Sequence, residues 1–105
     1  IINTYVNEHP LIQSDLEMAL NQINTQYWVA TGTNFNFIES WLNWKRSDYP
    51  KLIPVNYTSN VTNGTIPRRM IYLSSEALNN PENYRAAVAR LNGGDALTSR
   101  VWWDK

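Results

Sequence analysis

Hydrophobic residues recur with a helical period in the first third of the chain. Their spacing of four and three residues places them on one face of a helix. Ser14 and Glu17 form a capping box before this run, because each side chain can satisfy a free backbone N–H. Gly32 follows the run and tolerates the left-handed backbone that ends many helices. The pattern predicts a helix over residues 15–31 with an apolar face of Leu16, Leu20, Ile23, Tyr27 and Ala30.

A second, broader apolar stripe predicts another helix directly afterwards. Positions i, i+4 and i+7 share a helix face, and the stripe ends where Tyr49, biased toward extended geometry by Pro50, stops the helix. Because few residues separate the two helices, an antiparallel hairpin is expected. The alternative N-caps are Thr33, Asn34 and Asn36, and the stripe consists of Phe37, Ile38, Trp41, Leu42 and Trp44.

The second half of the chain has a weaker pattern. Residues 50–79 are rich in Pro, Asn, Ser and Thr and predict a long irregular segment, with one helical turn near its end. Asn80 and Pro81 predict the start of a third helix, as N-cap and first helical residue, which residues 92–94 close. The fold class expected is therefore mainly α: an antiparallel helix pair, a third helix and long irregular loops, within one segment that has no internal boundary.

Several function classes are made improbable by the composition. Nine basic residues balance nine acidic ones, so the chain lacks the positive field on which nucleic-acid binding depends. It has no cysteine, which excludes disulfides and thiolate metal sites. No apolar run reaches the roughly 20 residues that a bilayer span needs. The 43% hydrophobic content is nevertheless high enough to form a core.

Catalytic chemistry finds little support in the residues. His9 is the single histidine, and it lies beside Pro10 in an apparent loop, so no Ser-His-Asp arrangement follows. The acidic residues are scattered, and none forms the carboxylate pair that glycoside hydrolysis needs. We expect no enzyme activity, no cofactor and no metal site.

The aromatic and amide content admits two interpretations. Five Trp, six Tyr and 14 Asn residues could form a carbohydrate-binding surface, with rings for sugar C–H groups and amides for hydroxyls. They could equally be core rings and turn-forming amides. We expect Trp41 and Trp44, on the apolar stripe, to be packing residues. Lys45 and Arg46 close the helix, and we expect them to pair with carboxylates such as Asp48 or an acid elsewhere.

Three blocks of the chain resemble the C-terminal region of the SusD/RagB family. They read "ESWLNWKRSDYPKL", "GTIPRRMIYLSSEALNNPENYRAAV" and "GGDALTSRVWWDK", and the upstream "QINTQYWVATGTNFNFIES" resembles the helix pair before them. The resemblance extends over residues 14–105. Asp48 departs from it, since it stands where the family has glycine, and Tyr72 lacks the proline that follows it there.

The resemblance implies both a function and a location. Proteins similar to this family are lipoproteins on the outer face of the outer membrane that capture glycans or other nutrients without catalysis. They deliver them to a TonB-dependent transporter of the SusC type. Family members are several times longer, with an N-terminal helical-repeat (TPR-like) scaffold and a lipid-bearing cysteine. The chain is therefore expected to be a C-terminal segment of a SusD-like domain, whose rings need further helices to pack against and whose lipid anchor lies outside it.

No ligand residue carries over from the family, because nothing in this chain matches a fixed binding motif. The residues that we single out as ligand candidates are Tyr57 and its neighbours Asn56 and Asn60, in the irregular segment. The alternative function is a small helical module whose aromatic face binds another protein.

Overall fold

The structure is a computed structural model that describes residues 1–105, and it forms two compact units. The first unit comprises residues 1–52 together with Lys105, and the second comprises residues 53–104. The chain is helical with irregular connections, and no helix combines the length and hydropathy that a bilayer span requires. The helices are α1 (Ile2–Glu8), α2 (Leu16–Thr33), α3 (Phe37–Ser47), α4 (Ser74–Asn79) and α5 (Pro81–Ala89).

Helices α2 and α3 pack against each other in the first unit, and the predicted antiparallel hairpin is confirmed. Polar side chains join the two helices along their whole length, which fixes their register. From the connection outward, the hydrogen-bonded pairs are Thr31 with Ser40 (2.5 Å), Tyr27 with Glu39 (2.8 Å) and Asn43 with Asn24 (2.9 Å). Just beyond the end of α3, Tyr49 donates to Glu17 of α2 (2.5 Å).

The ends of α2 differ from the prediction by one or two residues. Asp15, and not Ser14, is the N-cap, and its Oδ1 accepts the Met18 N–H at 2.9 Å. Glu17 has a different partner, because its carboxylate accepts the Tyr49 hydroxyl. Gly32 does not end the helix, which continues to Thr33 while the Thr33 hydroxyl donates to the Val29 carbonyl at 2.9 Å.

Helix α3 begins after Asn36 and ends at Ser47, as predicted. Asp48 then adopts the left-handed conformation with φ 60°, a region that Asp tolerates better than most residues. Asp48, the carboxylate named as an expected partner of Lys45 and Arg46, pairs instead with Lys51 at 2.5 Å, and Arg46 donates to Asn43 at 2.6 Å.

The indoles of α3 have the packing role expected of them. Trp44 is 4% exposed and is the one buried hydrophobic residue of the chain. Trp41 is half-buried, and the Lys45 ammonium lies 3.8 Å from its ring centroid, a cation–π distance.

Helix α1 was not predicted. Its seven residues are too few to show a clear period, and no side chain caps its first turn. It is tied to α2 by amide side chains, since Gln26 donates to the Tyr5 hydroxyl at 3.2 Å. Gln22 binds the connection after α1, where it accepts the Ile12 N–H at 2.8 Å and donates to the Pro10 carbonyl at 3.2 Å.

In the second unit, α5 begins as predicted, with Asn80 as N-cap and Pro81 at the first helical position. The helix ends at Ala89, earlier than the sequence indicated, and turns lead to Gly93, whose φ of 98° suits glycine. Short helix α4 occupies the place where one helical turn was expected. The Trp pair near the C-terminus divides into an exposed Trp102 and a half-buried Trp103.

Two buried ion pairs link distant segments of the second unit. Arg68 Nη1 lies 2.8 Å from Asp104 Oδ1, and Arg69 pairs with Asp95, with at least 87% of each of these side chains removed from water. Asp95 is also bound by the Tyr72 N–H and the Tyr84 hydroxyl, each at 3.1 Å, so one carboxylate connects three parts of the unit.

Large apolar side chains lie mostly on the surface. The apolar face of α2 is open, with Ile23 53% exposed and Tyr27 39% exposed, and so is the start of α3, where Phe37 is 61% exposed. An exposed patch of this kind marks a surface that contacts another part of a protein or another molecule. The chain alone does not cover the faces that the sequence pattern predicted to be buried.

We expect the 105-residue chain, produced by itself, to self-associate. Its open α2 and α3 faces expose large apolar side chains, and such surfaces favour association. Light scattering coupled to gel filtration should give masses above that of a monomer, and anilinonaphthalene sulfonate should bind. The double variant Ile23→Gln, Phe37→Gln should lower both signals. A strictly monomeric chain with a sharp thermal transition and no dye binding would contradict this expectation.

Acid should weaken the second unit through Asp95. The Arg69 guanidinium, with hydrogen bonds from Tyr72 and Tyr84, lowers the pKa of Asp95 in the folded protein. A lowered folded pKa adds stability above the unfolded value of about 3.9, and this is lost as the pH falls below it. In the full-length gene product, Asp95→Asn should therefore lower the melting temperature at pH 7. The difference from wild type should shrink as the pH falls from about 4 toward 3; a constant difference would contradict this role.

Candidate functional site

A pocket of about 370 Å³ lies in the second unit, formed by residues 54–67, which we call the 54–67 loop, together with Leu97. Pro54 and Pro67 bound the loop at its two ends. Its volume falls in the range of ligand pockets, roughly 300–1,000 Å³. Because two of the three candidates singled out from the sequence, Tyr57 and Asn60, line it, this pocket is the candidate site.

The 54–67 loop is folded by successive turns that do not need a helix or strand. The Asn60 N–H donates to the Tyr57 carbonyl at 3.0 Å, and the Asn63 N–H donates to the Asn60 carbonyl at 3.1 Å. The Asn60 side chain braces them, because its Oδ1 accepts both the Thr62 N–H at 3.0 Å and the Thr62 hydroxyl at 2.7 Å. Its amide also donates to the Val55 carbonyl at 3.3 Å. Asn60 thus holds the loop in shape, as Asn commonly does in turns.

Gly64 is required where the loop folds back. Its φ is 80°, in the left-handed region that favours glycine. A Cβ atom at this position would meet the Asn56 Cβ at 3.1 Å and its Cγ at 3.2 Å, tighter than ordinary contact. Asn56 therefore packs against the loop backbone and does not line the pocket.

The base of the loop is fixed by hydrogen bonds to one carbonyl. The Leu97 oxygen accepts the Arg68 N–H at 2.7 Å and the Arg69 N–H at 3.2 Å. Since both arginine side chains are held in buried ion pairs, the C-terminal end of the loop is anchored. A pocket whose walls are fixed in advance loses less entropy when a ligand binds.

Tyr57 is the side chain that remains available for a ligand. It is 67% exposed, and the lining around it carries Thr hydroxyls and apolar groups but no carboxylate, ammonium or guanidinium. Such a surface can bind the face of an uncharged, polar molecule by ring contact and hydrogen bonds. It offers no acid and base for catalysis, and nowhere in the chain are three or more carboxylates or imidazoles grouped to hold a metal.

The sequence placed only part of this site. It pointed to residues 56–60, but Ile66 and Leu97 also line the pocket, and Leu97 is distant in sequence. In the sequence, the prolines at both ends and the Asn63-Gly64 pair were signals of a closed loop. In the structure both residues of this pair have left-handed backbone. Nothing local signals Leu97, because its place depends on the turn after α5.

Replacing Gly64 by alanine should loosen the loop. The left-handed backbone alone costs about 1 to 2 kcal/mol for a residue with a Cβ atom. Displacing Asn56 should add roughly another 1 kcal/mol. Gly94→Ala is the matched control: its φ is 71°, but nothing lies within 4 Å of the added atom. Urea unfolding of the full-length gene product should rank Gly64→Ala below Gly94→Ala, and equal losses would contradict the packing role of Asn56.

Comparison with solved structures supports the architecture. A protein titled chitin-binding protein superposes with a TM-score of 0.85 at 38% identity, over 99% of this chain and 22% of that chain. A Bacteroidetes AC2a SusD-like protein gives a TM-score of 0.84 at 30% identity, over 98% of this chain and 20% of that chain. The chain thus spans about a fifth of the length of these solved chains. The fold class is confirmed: five helices, 49% helix and no strand.

Family comparison agrees with the structural one. Among curated proteins, none matches the chain significantly. Residues 6–104 match the model of the SusD-like family, described as the SusD and RagB outer membrane lipoproteins. Since this match extends over nearly the whole chain, the chain belongs to the SusD-like family.

Proposed function

We propose that this chain is the C-terminal segment of a SusD-like protein that captures glycan, or another nutrient, at the cell surface without catalysis. The observation that carries the proposal is the family match over residues 6–104. The captured ligand would pass to a TonB-dependent transporter of the SusC type, and a lipid anchor outside this segment would hold the protein in the outer membrane.

The open apolar faces support this placement within a larger domain. Solved chains with the same fold are about five times as long. Helices from the rest of the same polypeptide would cover the start of α3 and the part of α2 next to it, and so remove side chains such as Tyr27 and Phe37 from water. Burying this surface is favourable by about 25 cal/mol per Å².

Chitin oligosaccharide is the first ligand to test. The support is the printed title of one solved chain, "chitin-binding protein", which is 38% identical to this chain. The uncharged lining of the 54–67 loop pocket also suits a neutral sugar, since burying an unpaired charge would be costly. Isothermal titration of the full-length gene product with oligosaccharides from chitin, cellulose, xylan and starch should show binding. Chromatography of the sugars after the titration should show no cleavage products.

The alternative function is a small helical module that binds another protein through its aromatic faces. The exposed apolar surface favours this alternative as well. The two proposals differ in ligand: a binding module of this kind would bind no oligosaccharide of the panel. Co-purification of the full-length gene product with an outer-membrane transporter would support the first proposal.

Tyr57 should contribute to oligosaccharide binding. Its exposed ring can stack on a sugar face, and loss of one ring contact of about 1 kcal/mol lowers affinity several-fold, up to roughly tenfold. Tyr57→Ala should therefore weaken binding in calorimetry, whereas Tyr57→Phe, which keeps the ring, should stay near wild type. Wild-type affinity of Tyr57→Ala would remove the 54–67 loop from the binding surface.

A further inference from the structure

A second pocket lies in the first unit, between α1 and α2, and has a volume of about 450 Å³. It is larger than the pocket of the 54–67 loop, and its walls come from α1, the connection after α1 and one face of α2. Neither the sequence motifs nor the family resemblance singled out this place.

Two stacked rings form part of its lining. The rings of Tyr5 and His9 lie 4.3 Å apart at centroids, with planes inclined by only 20°. The His9 ring is held by the backbone of α1, because its Nδ1–H donates to the Tyr5 carbonyl at 2.9 Å. This hydrogen bond leaves Nε2 as the acceptor of a neutral imidazole. Val6 and Ile23, more than half exposed, supply apolar surface beside the rings.

The pocket is held open by side-chain amides that are already engaged. Gln26 binds the Tyr5 hydroxyl, and Gln22 binds the backbone at Pro10 and Ile12. These contacts fix α1 against α2 before any ligand arrives, which lowers the entropy cost of binding.

Hydrogen-bonding capacity remains for a ligand after these contacts are made. Gln26 uses one amide hydrogen and keeps its carbonyl oxygen, while Asn21 accepts the Thr25 hydroxyl at 3.1 Å and keeps its amide hydrogens. No Asp, Glu, Lys or Arg lines the pocket. The surface therefore offers ring faces, amide donors and amide acceptors without formal charge, which matches a neutral polyhydroxylated ring and disfavours an anion or a cation.

We propose that the pocket between α1 and α2 is a second binding site for a neutral oligosaccharide, separate from the 54–67 loop. The proposal rests on the proposed function, because it takes the protein to be a glycan binder. One outer face of the stacked Tyr5–His9 pair lies against the sugar, and Asn21 and Gln26 bind its hydroxyls. Two separate sites on one polypeptide would raise avidity for a long glycan, provided that the chain of sugars can reach both.

The first test is calorimetry of the full-length gene product with chitohexaose. Tyr5→Ala should lower affinity by about tenfold if the ring contact contributes about 1.4 kcal/mol. Tyr5→Phe should retain binding, because it loses only the hydrogen bond to Gln26. Asn7→Ala is the matched control, since Asn7 lies on α1, is exposed and does not line the pocket.

The second test needs no substitution and so does not depend on the folding of a variant. Diethyl pyrocarbonate modifies accessible imidazoles, and mass spectrometry can locate the product at His9. At free chitohexaose ten times its Kd, modification of His9 should be about tenfold slower than without sugar. In the Tyr57→Ala variant, chitohexaose should still slow the modification of His9, because the two sites are separate. The sugar concentration is set at ten times the Kd of that variant.

The proposal requires both results. Unchanged affinity of Tyr5→Ala, or unprotected His9, overturns it while Tyr57→Ala still reports on the proposed function. His9 that is unreactive without sugar shows that another part of the protein fills the pocket, which also overturns it. If chitohexaose and the other oligosaccharides fail to bind the wild-type protein, the proposed function and this second site fall together.

Discussion

Burial of apolar surface is the largest favourable term in folding, yet in this chain Trp44, 4% exposed, is the one buried hydrophobic residue. The other buried residues are polar or charged, among them Asn24, Arg68 and Arg69. The chain is therefore shaped by specific polar contacts, while most of the apolar area that its helices carry faces outward. The open faces of α2 and α3 follow from this division between buried polar contacts and outward-facing apolar surface.

Three of the polar contacts share one chemistry. Tyrosine hydroxyls donate to carboxylates at three places, Tyr27 to Glu39, Tyr49 to Glu17 and Tyr84 to Asp95, and each pair joins separate segments. In all three the carboxylate hydrogen bond raises the pKa of the tyrosine. Hydrogen bonds to ionised groups are stronger and shorter than neutral ones. These hydrogen bonds are also directional, so they can fix the register of two segments where few apolar side chains are in contact.

Periodic segments were predictable from the sequence, whereas contacts between distant residues were not. The α2–α3 hairpin and the start of α5 at Pro81 followed from spacing and capping residues. The cap at Asp15 was missed because Ser14 offers the same chemistry one position earlier, and α1 was missed because seven residues show no period. At the candidate site, Tyr57 and Asn60 were found, but the bracing role of Asn60 depends on the fold of the loop. The pocket at Tyr5 and His9 depends on how α1 docks, which no local pattern encodes.

A segment with a polar frame and open apolar faces suits a place inside a larger helical domain, where its surface becomes a seam between helices. Hydroxyl-radical footprinting of the full-length gene product tests this most directly, because it measures the solvent access of individual side chains. If the faces are seams, Tyr27 and Phe37 will be protected, although they are 39% and 61% exposed here. Labelling of these two residues in proportion to those exposures would contradict it.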